Sequence, residues 1–145
     1  MVPTQIEREI DIAAPVEKVW AAITEASHLG TWFGDAGATV DLRPGGRITL
    51  SFAEHGTAQA VVEKVEPTSY LSYRWSGPLG AEPVAGNSTL IEFSLHPTDA
   101  GTRLRVVESG FPELDLSEEG RSNYYEGNVD GWRGKVEELR QHVEA

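Results

Sequence analysis

Glu108 is the side chain whose sequence surroundings most clearly raise a chemical question. It stands near the end of Thr102–Ser109, where Leu104, Val106 and Glu108 alternate with Arg103, Arg105 and Val107. Successive side chains of a strand point to opposite faces, and the two arginines mark theirs as the solvent side. Glu108 then faces inward among apolar neighbours. An unpaired carboxylate there holds its proton more tightly, and it can serve as an acid, a base or a polar anchor for a ligand. The same alternation gives inner sets of Ile91, Phe93 and Leu95, of Leu71, Tyr73 and Trp75, and of Ile48, Leu50 and Phe52. Tyr73 adds a hydroxyl that must find a backbone acceptor or a ligand once buried. Arg8 shares the inward side of its segment with Ile6, Ile10 and Ile12.

Other chemistries are poorly served. The chain has no cysteine, which removes disulfides, thiolate nucleophiles and cysteine-bound metal centres together. His28, His55, His96 and His142 are scattered without metal-ligand spacing, and His28 and His55 read as surface loop residues. No nucleophile, base and orienting group fall into reach of one another by sequence. Gly45–Gly46 opens no phosphate-binding loop and reads as a turn. The polar groups available to a reaction reduce to Arg8, Tyr73 and Glu108, a thin set for an enzyme. No catalytic residue, metal ligand or cofactor is expected.

Composition narrows the partners. With 145 residues, 39% hydrophobic and 24% charged, the chain can bury one substantial core, and it reads as a single domain over 1–145. Its formal net charge of −11 and pI near 4.7 repel nucleic acid and anionic membrane surfaces. The N-terminus carries neither a basic nor an apolar leader region, and a cytoplasmic location is expected.

The elements that must position these residues follow from hydrophobic period. Gln5–Ile12 alternates as a strand. Val16, Val19, Trp20 and Ile23 form a helical stripe after Pro15, whose ring suits the first turn. A second short helix is expected from Ser27 as N-cap to about Gly34, carrying Trp32 and Phe33 between glycines. Strands follow at Ala38–Leu42, Arg47–Ala53, Thr57–Glu66, Tyr70–Ser76, Ser88–Leu95 and Thr102–Ser109, joined by short turns that imply an antiparallel meander. His96–Gly101 and the acidic stretch Glu113–Gly120 read as loops, and Gly77–Gly86 as a longer one. Tyr125, Val129, Trp132, Val136, Leu139 and Val143 then recur at steps of 4, 3, 4, 3 and 4, a long amphipathic helix headed by Tyr124 and Tyr125. Gly127, Gly131 and Gly134 inside it imply either close packing or bending. The expected class is α+β, with a curved antiparallel sheet of about seven strands closed by this helix and a cavity left between them.

Five stretches carry a family likeness: the Ile10–Thr24 region with its APVEKVWAAIT, then HLGTWF, RPGGRI, TRLRVVESGF and NVDGWRGKVEELRQHV. In this order and spacing, from about Ile6 to Val143, they resemble the START-like SRPBCC superfamily. They are most similar to its branch named after the activator of the 90-kDa heat-shock-protein ATPase. The resemblance implies a helix-grip fold with a hydrophobic ligand cavity, and neighbouring first and last strands. Glu108 would then either pair with Arg8, anchor a ligand, lie exposed at the sheet edge, or act catalytically.

The expected function is non-catalytic binding of a small hydrophobic ligand, in a cavity of roughly 300–1,000 Å³. The ligand-binding residues would be Arg8, Trp32, Phe33, Phe52, Tyr73, Trp75, Phe93, Glu108, Tyr125 and Trp132. Trp32, Phe33 and the Gly77–Gly86 loop would gate it. The alternatives are a polyketide aromatase or cyclase using Arg8, Tyr73 and Glu108, and a chaperone-linked interaction module. Partners would be the ligand, a second copy of the chain or a chaperone.

Overall fold

The computed structural model describes residues 2–54, 56–76 and 81–145; His55 and the first part of the Gly77–Gly86 loop lie outside them. The chain order is β1 (Gln5–Ile12), α1 (Val16–Thr24), α2 (Ala26–Trp32), β2 (Ala38–Val40), β3 (Arg47–Phe52), β4 (Gly56–Glu66), β5 (Tyr70–Ser76), β6 (Ser88–Thr98), β7 (Gly101–Ser109) and α3 (Glu118–Glu144). A single 3₁₀ turn, Phe111–Glu113, joins β7 to α3.

The strands form one antiparallel sheet in the order β1-β7-β6-β5-β4-β3-β2. First and last strands are neighbours, and Ile6 lies opposite Glu108 while Arg8 lies opposite Val106. The outer side of this pair carries Arg103 on Asp11 at 3.0 Å and Arg105 on Glu7, so the arginines do mark solvent. Between Val62 and Lys64 the β4–β5 register shifts, leaving an extra residue that bends β4. The sheet therefore curves into a trough whose floor is Ile48, Leu50, Leu71, Ile91, Phe93, Leu95, Leu104 and Val106, all buried.

Helix α3 lies over that trough. At 27 residues it is about 40 Å long, enough to cross the whole sheet. Ser117 caps it, accepting the Gly120 N–H at 3.0 Å, and Glu118 and Glu119 face the positive end of its dipole. Trp132, Val136, Leu139 and Val143 are buried, whereas Tyr125 and Val129 nearer its start are half-buried. The helix is deeply buried along its C-terminal half and only partly covered towards its N-terminus.

Several local expectations need correcting. Pro15 is the N-cap of α1 and not its first turn. Ser27 does not cap α2. That helix starts at Ala26, because the extended Glu25 both ends α1 and precedes α2. The supposed loop His96–Gly101 is mostly strand, paired down to Thr98 opposite Gly101. Only Asp99 and Ala100 turn. Gly101 is required there, since a Cβ would meet the Ile12 carbonyl at 2.2 Å. The acidic stretch before Gly120 is partly the first turn of α3, so Tyr124 and Tyr125 sit inside the helix and not at its head. His28 lies half-buried on α2, with Nδ1 2.8 Å from Nε2 of His142 on α3. The helix glycines Gly127, Gly131 and Gly134 meet nothing within 4 Å of a built Cβ, which excludes close packing within the chain as their reason.

Candidate ligand cavity

The trough and α3 do not meet everywhere. Between them lies a cavity of 180 Å³, bordered by Phe33, Phe52, Trp75, Ile91, Glu108, Asn128, Gly131, Trp132 and Lys135. Wider clefts of 680 and 630 Å³ open beside Pro83–Gly86 and beside the β6–β7 turn, but their charged side chains are all solvent-accessible. Among the described residues, the small cavity joins several aromatic rings to a buried carboxylate, the combination expected of a small-molecule site.

Aromatic contacts build the walls. Phe33, just past the end of α2, stacks on Trp75 at 5.6 Å and meets Trp132 edge-on at 5.8 Å. Trp132 also stands edge-on to Phe93 at 6.0 Å, which fills the space beneath it. The large indole lowered from α3 onto Phe93 is why the cavity is smaller than the expected range.

Glu108, 1% exposed, forms the polar spot. Its Oε1 accepts the Trp132 indole N–H at 2.8 Å and the Asn128 amide at 2.9 Å. Its Oε2 bonds the Thr89 hydroxyl at 2.5 Å and shares the Asn128 amide at 3.1 Å. Burial pushes the Glu108 carboxyl up, and the hydrogen bonds from Thr89, Trp132 and Asn128 pull it partly back. All three donors are electrically neutral. Among the described residues no basic side chain lies within the 4.0 Å of an ion pair with Glu108.

The mouth is fastened by Lys135. Its ammonium donates to the Phe33 carbonyl at 2.9 Å and the Trp32 carbonyl at 3.4 Å, and it pairs with Glu138 at 3.1 Å. These are carbonyls at the end of α2, where a helix leaves acceptors unmet and its dipole favours a cation.

A model of the Activator of Hsp90 ATPase homolog 1-like protein family matches residues 13–144. This chain belongs to that family. The crystal structure of protein MLL2253 from Mesorhizobium loti is 28% identical, with a TM-score of 0.79 over 97% of this chain and 96% of that one. The solution structure of a Bacillus halodurans protein is 27% identical, with a TM-score of 0.76, 99% of this chain and 98% of that one being covered. The Aha1 dimer from Colwellia psychrerythraea, at 22% identity and TM-score 0.78 over 99% and 97%, shares the fold. No curated protein matches the chain.

Within this Activator of Hsp90 ATPase homolog 1-like fold, the sequence-derived site residues divide. Phe33, Phe52, Trp75, Glu108 and Trp132 border the cavity. Trp32 instead turns into the core, its indole N–H donating to the Ala22 carbonyl at 2.6 Å. Phe93 and Tyr73 lie behind the wall, with rings 6.1 Å apart. Burial, and then the nearby Glu108 charge, push the Tyr73 hydroxyl up, and it forms no hydrogen bond with a described residue. Tyr125 stands edge-on to Phe111 at 5.0 Å, and its hydroxyl donates to the Gln5 carbonyl at 3.3 Å, tying α3 to β1. Arg8 does not pair with Glu108: its Nε is buried without a partner, across from Val106.

Thr89, Asn128, Gly131 and Lys135 were missed. Thr89 was legible, standing two residues before Ile91 on the same inner face. Asn128 was legible too, one helical turn before Trp132. Lys135 had no sequence signal towards the site, since its partners across the mouth are backbone carbonyls at the end of another helix.

Proposed function

We propose that the chain holds a small ligand with a largely apolar body in the cavity between the sheet and α3 without transforming it. The observation that carries this reading is an aromatic-walled space with one buried, hydrogen-bonded carboxylate, where the other ionisable lining group among the described residues, Lys135, is held by the Phe33 and Trp32 carbonyls and by Glu138. Arg8 and Tyr73, the other members of the suggested cyclase set, stand off the lining, so that set does not converge on one point. The size limits the ligand to about one aromatic ring, because an apolar cavity of about 150 Å³ already admits benzene. Self-association and a chaperone partner rest on relatives' names and form no part of this reading.

Gly131 supplies the test. It borders the cavity, and a Cβ there enters open space. Gly131→Leu should therefore narrow the mouth without a clash, while gaining up to about 1 kcal/mol of helix propensity. In wild type, toluene should raise the melting temperature; in Gly131→Leu the unliganded protein should melt no lower and the toluene response should vanish. A toluene response of equal size in both would remove the cavity as the binding site.

A further inference from the structure

A buried carboxylate is ordinarily matched by a cation, because an uncompensated charge in a low-dielectric interior is costly. Among the described residues Glu108 has only neutral partners, Thr89, Asn128 and Trp132. Its carboxyl nevertheless borders an open space rather than solid packing. The remaining walls are the rings of Phe33, Phe52, Trp75 and Trp132, and aromatic faces attract cations. Asn128 shares one amide between both carboxylate oxygens, at 2.9 and 3.1 Å. Drawing that amide wholly onto Oε1 frees a lone pair of Oε2 for one more donor.

Building on the cavity reading, we propose that its ligand is a compact organic cation of about one aromatic ring, such as a primary aralkylammonium. Its ammonium supplies the missing counter-charge to Glu108, and its ring or alkyl body lies against the aromatic walls. The fixed cation at the mouth does not take this role, since Lys135 is held by Phe33, Trp32 and Glu138. The acidic surface, at net charge −11, favours the approach of cations over anions.

Among the described residues, the charged and titratable groups on the elements around Glu108 are few. They are Tyr73 on β5, Tyr124 and Lys135 on α3, and Arg8 on β1. Burial, then Glu108, push Tyr124 up to about 12, and Tyr73 is pushed up for the same causes, so both stay neutral near neutrality. Burial raises the Glu108 carboxyl, so a bound cation must displace its proton at low pH. Affinity for the ammonium then climbs with pH, by up to about tenfold per unit, until Glu108 ionises unaided.

The experiment titrates wild type and Glu108→Gln with benzylammonium and with benzyl alcohol, by calorimetry between pH 5 and 8. The substituted amide can keep Trp132 and Asn128 as donors to its oxygen and donate to Thr89 from its nitrogen, so the fold should persist. Wild type should bind benzylammonium at least tenfold tighter than benzyl alcohol, more so as pH rises, and Glu108→Gln should lose that preference while still binding the alcohol. Should the variant fail to fold, the wild-type pH profile decides, a flat one overturning the proposal. Equal binding of the two probes, or a preference that survives in Glu108→Gln, also overturns it while leaving the cavity reading intact. If neither probe binds wild type, both readings fall.

Discussion

At the scale of single residues, the behaviour of the site rests on how Glu108 is held. Three neutral donors stabilise its ionised form, but burial outweighs them and leaves the carboxyl raised above its ordinary value of 4.5. The native state then binds the proton more tightly than the unfolded chain does. Glu108's contribution to stability is fully present below about pH 4.5 and is lost as pH rises through its folded value. Urea unfolding of wild type and Glu108→Gln should show this as a difference: wild type loses stability relative to the variant as pH climbs from 4.5. A difference that grows in the opposite sense would mean that the donors, not burial, dominate. Removing a donor sharpens the effect. Asn128→Leu leaves Glu108 with two partners, and it should cost about 1–3 kcal/mol near neutral pH, where desolvation is least offset. The inward direction of Glu108 was legible from Arg103 and Arg105 alone. Its partners were less so, because a carboxylate's choice between an arginine on β1 and neutral donors on β6 and α3 depends on where a guanidinium points. The register sets Ile6, not Arg8, opposite Glu108.

At the scale of elements, α3 is moored at several points and free between them. Its C-terminal part is tied by Glu144 accepting the Ala13 N–H at 2.8 Å and by the contact of His142 with His28. Lys135 then holds the end of α2, and Tyr125 reaches β1. The cavity lies beside the stretch from Asn128 to Lys135, where Gly131 leaves its edge open. Lys135→Met should therefore loosen α2 from α3 while costing only about 1 kcal/mol. Hydrogen exchange should quicken at Phe33 and Gly34, and unchanged exchange there would mean the latch is not holding. The strands were legible wherever alternation was clean, and β5, Tyr70–Ser76, was read to the residue. The start of α3 was hidden because its apolar stripe begins only at Tyr125; the Ser117 cap was the remaining signal. The paired end of β6 was hidden because His96–Pro97 resembles a turn, and only pairing across to Thr102 makes it strand.

For the whole molecule, an acidic exterior surrounds a trough closed by one long helix, and among the described residues no helix is long and apolar enough to cross a membrane. Membership of the Activator of Hsp90 ATPase homolog 1-like family accounts for the fold, but a fold hosts many functions, so the site's own chemistry must supply the rest. The chain carries its own reporters for that chemistry. It has four tryptophans, of which Trp75 and Trp132 border the cavity while Trp20 and Trp32 do not. The most direct measurement is therefore the set of indole N–H signals in a nitrogen–proton correlation spectrum as benzyl alcohol is added. The account predicts that Trp75 and Trp132 shift together in a saturable way while Trp20 and Trp32 stay in place. Four unmoved signals, or equal shifts in all four, would contradict a ligand held between the sheet and α3.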